Sequence, residues 1–272
     1  MTAPVIPRIV VPLPREHLSP CSAEEEIPDG ARPRQCHAPC AERLNLHPVP
    51  PPPVQSEAEF AWYRWVLGHQ GSFVTWRLLS SVLDRRDLDE AAALFDAYSA
   101  LLLYSGSCTR DVYATVVRPR MAARHPAMSG MWARDYRHIN AQLAEVVPAP
   151  GSALKEAMKF NRLVHMTVAH RLVPTGGSLL RDAGHDAHQA PTAEEQDILD
   201  DFFLLDRAPN CARGFAAALR ARVAATLADL RVRPVRQFYK REAVNRFQED
   251  LPAHIGRVVS IAEATLLEGV NA

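Results

Sequence analysis

Several things are scarce in this 272-residue chain, and each scarcity excludes something. Charge of one sign is missing: 31 basic residues stand against 31 acidic ones, so no basic excess points to nucleic acid or to an anionic membrane. Long apolar runs are missing too, and none reaches the length of a membrane span. The first residues, MTAPVIPRIVVPLPREHL, lack the basic-then-apolar layout of a secretion signal, and the expectation is a cytoplasmic protein. Cysteine is sparse, odd in number and irregularly spaced: Cys21, Cys36, Cys40, Cys108 and Cys211. Such a set does not make a disulfide framework. The segment CHAPC (36–40) could begin a zinc site, but no second Cys/His pair follows at the spacing that a closed site needs. Alternating polar and apolar residues are absent as well, so no strand is expected.

What remains is a proline-rich opening and a helical body. Residues 1–54 form a proline-rich N-terminal arm ending in PVPPPPVQ, expected to run extended over the surface. Residues 55–272 form one helical domain. Apolar periodicity predicts helices at 56–83, 88–105, 109–122, 128–147, 151–173, 192–205, 209–231 and 235–268, the last broken near Pro252. Ser56, Asp87 and Thr192 are expected N-caps, with Glu90 completing a capping box. The fold class is all-α. Pro174, Gly176 and Gly177 end the fifth helix, and 178–192 is a long irregular connection, the kind of loop that carries function.

Three segments place polar groups where a helix should be apolar. In WYRWVLGHQGSFVTW, His69 and Gln70 stand between Gly68 and Gly71. Helical glycines cost about 1 kcal/mol each relative to alanine. They imply either a bulky group against the backbone or tight helix packing, and this segment alone favours packing. In DVYATVVRPRMAARHPAMSGMWARDYRHI, Tyr113, Arg118, Ser129, Arg134 and Arg137 spread over two helices. Arginine grips carboxylates as a planar fork, although most arginines are merely exposed. In FNRLVHMTVAHRLVPTGGS, His165 and His170 lie roughly 140° apart, and His165 shares its side of the helix with Val164, Val168 and Leu172. That places His165 on the apolar face. No zinc-type spacing accompanies it, whereas one imidazole in an apolar slot suits heme.

Taken together, these segments resemble the histidine-ligated heme aromatic oxygenases, the tryptophan 2,3-dioxygenase superfamily. The matching elements are His69-Gln70 with FVTW, then Tyr113, Arg118 and Ser129-Gly130, then His165-x5-Arg171 with Thr175-Gly176-Gly177-Ser178. The resemblance covers roughly 60–182. The segment RPRMAARHPAMSGMWARDY is most similar to the heme-dependent L-tyrosine hydroxylases. The resemblance implies a helical bundle of the dioxygenase type and heme b, with His165 as the axial ligand and Gly176 and Gly177 beside the cofactor. It makes His69 the distal acid/base, with a pKa near neutrality. Tyr113, Arg118, Ser129 and Thr175 would bind the substrate, L-tyrosine or a close analogue. Hydrogen peroxide would be the oxidant, and hydroxylation ortho to the phenol would give L-DOPA in bacterial natural-product biosynthesis. The superfamily implies a homo-oligomer, a dimer before a tetramer. Three alternatives stay open. One is an oxygenase of an indole amino acid. Another is a cofactor-free helical interaction protein. The third is a non-heme metalloenzyme using His185 and His188.

Overall fold

The computed structural model describes residues 6–18, 49–52, 56–173, 176–186 and 189–266. Cys36, His37, Cys40, Thr175 and His188 lie outside the described residues.

The body is helical, as expected. Helix α1 (Glu57–Asp84) starts at Ser56, whose hydroxyl accepts from Glu59 N, with Glu57 and Glu59 favourably placed at the positive end of the helix dipole. The link 85–87 turns the chain into α2 (Leu88–Ser105), capped by Asp87. That cap is one-sided: the Glu90 carboxylate bonds Arg85 instead. A cradle for α2 is cut into α1 by its glycines. A Cβ on Gly68 would meet Ser105 Cβ at 2.7 Å, and one on Gly71 would meet Leu101 at 2.9 Å. Close packing therefore explains both glycines. The two pairings run in opposite directions along the chain, so α1 and α2 are antiparallel.

The next helical stretch has three parts: α3 (Arg110–Val112), a π-helix (Tyr113–Val117) and α4 (Arg118–Arg124). A 3₁₀ turn, Gly130–Trp132, precedes α5 (Arg134–Val146). Helix α6 (Ala153–Leu172) lies parallel to α2. Asn161 donates to Ser99 at 3.0 Å, and Gly106 faces Val168. A short helix, α7 (Leu179–Asp182), interrupts the expected irregular connection. Helix α8 (Ala193–Phe202) begins with a full capping box between Thr192 and Glu195. Then come α9 (Ala212–Val232), α10 (Glu242–Glu249) and α11 (Leu251–Leu266). The break falls at Asp250, just before Pro252.

Two expectations do not hold over residues 6–11, while most of the remaining arm lies outside the described residues. A two-stranded parallel ladder pairs β1 (Ile9–Val10) with β2 (Leu205–Asp206). Two-residue strands are too short to show alternation, which is why the sequence hides them. The segment is extended, but it does not lie over the surface: Ile6, Ile9, Val10 and Val11 are all buried. Arg222, itself buried, donates to the Pro7 and Arg8 carbonyls at 3.0 and 3.2 Å, and Arg77 donates to the Glu16 carbonyl. The polar groups of an extended backbone are thereby satisfied inside the core. Among the described residues, no helix is long and apolar enough to cross a membrane.

Candidate functional site

His69 sits in the middle of α1 between two aromatic rings. Trp65, one turn earlier, lies at 4.4 Å, and Phe203 stacks on the imidazole at 4.2 Å with planes 8° apart. The Nδ1–H donates to the Trp65 carbonyl at 2.6 Å. That bond fixes the tautomer and leaves Nε2 with the lone pair. Burial among apolar rings disfavours the cation and lowers the pKa to about 4, only partly opposed by the Trp65 carbonyl. This corrects the expectation of a value near neutrality.

Trp65 continues the wall to Tyr113, with ring centroids 5.7 Å apart. Burial raises the Tyr113 pKa, while the positive charge of the neighbouring Arg118 opposes the rise. The two residues are five apart in sequence, which in an α-helix would place them on different sides. The π-helix removes the problem: its wider turn closes with the Arg118 N–H on the Tyr113 carbonyl, so five residues make about one turn. π-Turns recur at functional sites for this kind of reason.

A cavity of about 460 Å³ opens beside this pair, a size suited to an amino acid. Arg110, Tyr113, Ala114 and Arg118 line one side of it. Leu172, Val173, Gly177, Arg181 and Asp182 line the other. Arg118 reaches across, donating to the Gly177 carbonyl at 3.0 Å and to the Asp182 carboxylate. Gly176 stands at φ +72°, a left-handed conformation that costs a glycine little, and its carbonyl accepts from Arg181. Three guanidiniums face one carboxylate, so the cavity favours an anionic group.

The structure thus brings Tyr113, Arg118 and Gly177 together, joins Gly176 to them through Arg181, and connects His69 through Trp65. Ser129 is elsewhere. Its hydroxyl caps the 3₁₀ turn by accepting from Met131 N, and it does not line the cavity. Arg134 is tied to Asp197 and Asp200, and Arg137 is exposed. Arg171 donates to the Cys108 and Gly106 carbonyls, which anchors the end of α2 rather than a ligand.

His165 needs correction. The buried stripe of α6 is Leu154, Ala157, Asn161, Val164, Val168 and Leu172. His165 lies at its edge, one residue round from Val164, and is exposed. Solvent reaches the ring, yet enough protein surrounds it for desolvation to lower its pKa. It lies two turns before Leu172 on nearly the same line of the helix, about 10 Å from the cavity wall. No hydrogen bond or ion pair engages its ring among the described residues, so a neutral imidazole is available there. That donor set fits a porphyrin iron, which asks the protein for one imidazole. A non-heme centre fits poorly. His185 comes within 6.5 Å of His125, ring to ring, but no cluster of three metal-ligating side chains occurs among the described residues.

Three contributors escape a reading of the sequence. Trp65 had a signal, the i−4 position to His69 on one helix face. Phe203 and Asp182 had none, since only the tertiary fold brings them to α1 and α4.

An aromatic-walled imidazole linked through Trp65 and Tyr113 to an arginine-rich cavity in a helical bundle defines an enzyme of the oxidoreductase class once the family comparison is added. A profile of the SfmD 3-methyl-L-tyrosine peroxygenase family matches residues 19–161, just over half of the chain. The chain belongs to that family. The matched span holds His69, Tyr113, Arg118 and Ser129, and it ends before His165. No curated protein matches the chain significantly.

Proposed function

We propose that the protein hydroxylates L-tyrosine ortho to its phenol, giving L-DOPA, with hydrogen peroxide as oxidant and heme b held by His165. The observation that carries the reading is the 460 Å³ cavity with Arg110, Arg118 and Arg181 on its walls, joined through Tyr113 and Trp65 to the part-buried, ring-walled His69. Bound heme would supply the oxidising chemistry that peroxide drives.

The chain's own residues bind, orient and move the proton. Arg118 meets the substrate carboxylate as a fork, with Tyr113 beside it, and Arg110 and Arg181 add positive potential. Asp182, on Arg118 in the structure, is half exposed and can swing aside or meet the substrate ammonium. His69 is neutral at physiological pH, so Nε2 is free to accept a proton from the peroxide or the phenol. With a pKa near 4 it is a weak base, but its conjugate acid is strong and returns the proton readily. Trp65 and Phe203 flank the imidazole and hold its plane. Gly177 and α7 form the opposite wall.

A ring-methylated tyrosine is the second substrate to test, because the family's description names 3-methyl-L-tyrosine. The deciding experiment is an absorption spectrum of protein expressed with a heme precursor, followed by product analysis with each amino acid and peroxide. A Soret band that shifts with tyrosine, and a catechol product, support the proposal. A colourless protein that takes up no heme, or products from tryptophan alone, would overturn it.

A further inference from the structure

The buried N-terminal segment and the candidate base meet at one residue. Phe203 follows α8 and stacks on His69. Its backbone and that of the next residue are both held. The Gln70 amide donates to its carbonyl at 3.1 Å and to the Pro7 carbonyl at 3.2 Å. The Gln70 oxygen accepts from Arg222 Nε at 2.7 Å, so the amide is fully used and cannot flip. The next residue, Leu204, stands at φ +59°, a strained conformation for leucine, and its carbonyl accepts from Ile9 N at 2.9 Å. The β1–β2 ladder therefore pins the bend that turns the Phe203 ring onto the imidazole. Phe202 and Phe73 pack against that ring with centroids 5.0 and 5.9 Å away.

We infer that Phe203 is a positioning residue for His69: its stacked ring fixes the imidazole plane so that Nδ1 stays on the Trp65 carbonyl and Nε2 stays the free nitrogen. Gln70, adjacent in sequence to His69, acts through it. The Gln of the His-Gln pair serves the base by gripping Phe203 and the N-terminal segment together, not by touching the cavity. Titratable groups on the packed elements are engaged elsewhere. Arg222 is on Gln70, Arg8 on Asp201 and Asp206, and Arg207 on Asp135 and Asp200, while Tyr113 lies beside Arg118. The ring's surroundings, rather than a charge, therefore set its protonation.

The inference rests on reading His69 as the base, but its test does not. Histidine-labelled full-length protein is titrated by NMR as wild type, Phe203→Leu, Phe203→Tyr and Gln70→Met, with circular dichroism to confirm folding. Phe203→Leu should raise the His69 pKa from about 4 towards the ordinary value near 6.5 and mix the two tautomers. Phe203→Tyr, which keeps a stacked ring, should restore the wild-type titration. Gln70→Met should move it the same way as Phe203→Leu, by less. If Phe203→Leu does not fold, the Gln70→Met and Phe203→Tyr pair decides. An unchanged His69 titration and tautomer in folded variants overturns the inference. A shifted titration in a protein that turns over no tyrosine upholds the positioning and removes the proposed function instead.

Discussion

At the scale of single residues, the site depends on one imidazole kept neutral and one guanidinium kept in place. His69 binds its proton near pH 4 in the fold and near 6.5 in the unfolded chain. Its folded pKa is depressed, so the unfolded chain binds the extra proton in between. Stability is therefore full above about pH 6.5 and declines as pH falls towards 4, by roughly 3 kcal/mol in all. In His69→Gln that acid-side decline should be shallower, and denaturant midpoints across pH 4–7 measure it; parallel curves would show that His69 titrates normally. Arg118→Ala should weaken L-tyrosine binding by 10-fold or more, by analogy with other buried charge contacts worth about 2 kcal/mol. Calorimetry on the heme-loaded protein checks this, and unchanged affinity would pass the carboxylate to Arg110 or Arg181. Tyr113 and Arg118 were legible because residue type and nearness on one segment suffice to pair them. Asp182 is 64 residues from Arg118, and no local pattern signals a contact at that range.

At the scale of elements, the caps were readable and the irregularities were not. Ser56, Asp87 and Thr192 act on amides three residues away, so the sequence contains both partners. The π-helix was invisible because no residue type demands it; it exists to accommodate one residue too many between Tyr113 and Arg118. The sequence raised the right question at Gly68 and Gly71, whereas the side facing of His165 was misread. There the apolar stripe passes through Val164, and a 100° step was enough to move the imidazole to its edge. Thr115 lies exposed in the π segment. Deleting it should convert the segment to regular α-helix, leave Tyr113 and Arg118 four apart on one face, and preserve tyrosine binding within a few-fold. A complete loss of binding in a folded deletion variant would show that the wide turn itself shapes the cavity.

At the scale of the whole molecule, buried ionic groups join distant parts. Arg64 on α1 pairs with Asp229 on α9 at 2.7 Å, and Tyr104 on α2 donates to the same carboxylate at 2.8 Å. Arg207 binds Asp135 and Asp200 in a second buried cluster, to which Arg134 adds through Asp200. Removing one member strands the others without water. Arg207→Ala should destabilise by about 3–5 kcal/mol, a fall in Tm on the order of 10 °C, seen by thermal unfolding. A change of a degree or two would mean that the carboxylates rehydrate or take up protons. The helical class and the single large core followed from composition and periodicity. The burial of residues 6–11 did not, because their partners, Gln70, Leu204 and Arg222, are spread over the length of the chain.

The pairing of Ile9 with Leu205 also sets an order of events. Closing a loop of about 200 residues costs roughly 5 kcal/mol of chain entropy, which only the completed contacts offset. The first strand is made before its partners, and Leu205 and Arg222 follow some ten seconds or more later at ordinary rates of synthesis. Ile6, Ile9, Val10 and Val11 wait uncovered through that interval. A fragment ending at residue 161, where the family match stops, would leave this strand edge unpaired for good, open to the edge of any neighbouring chain.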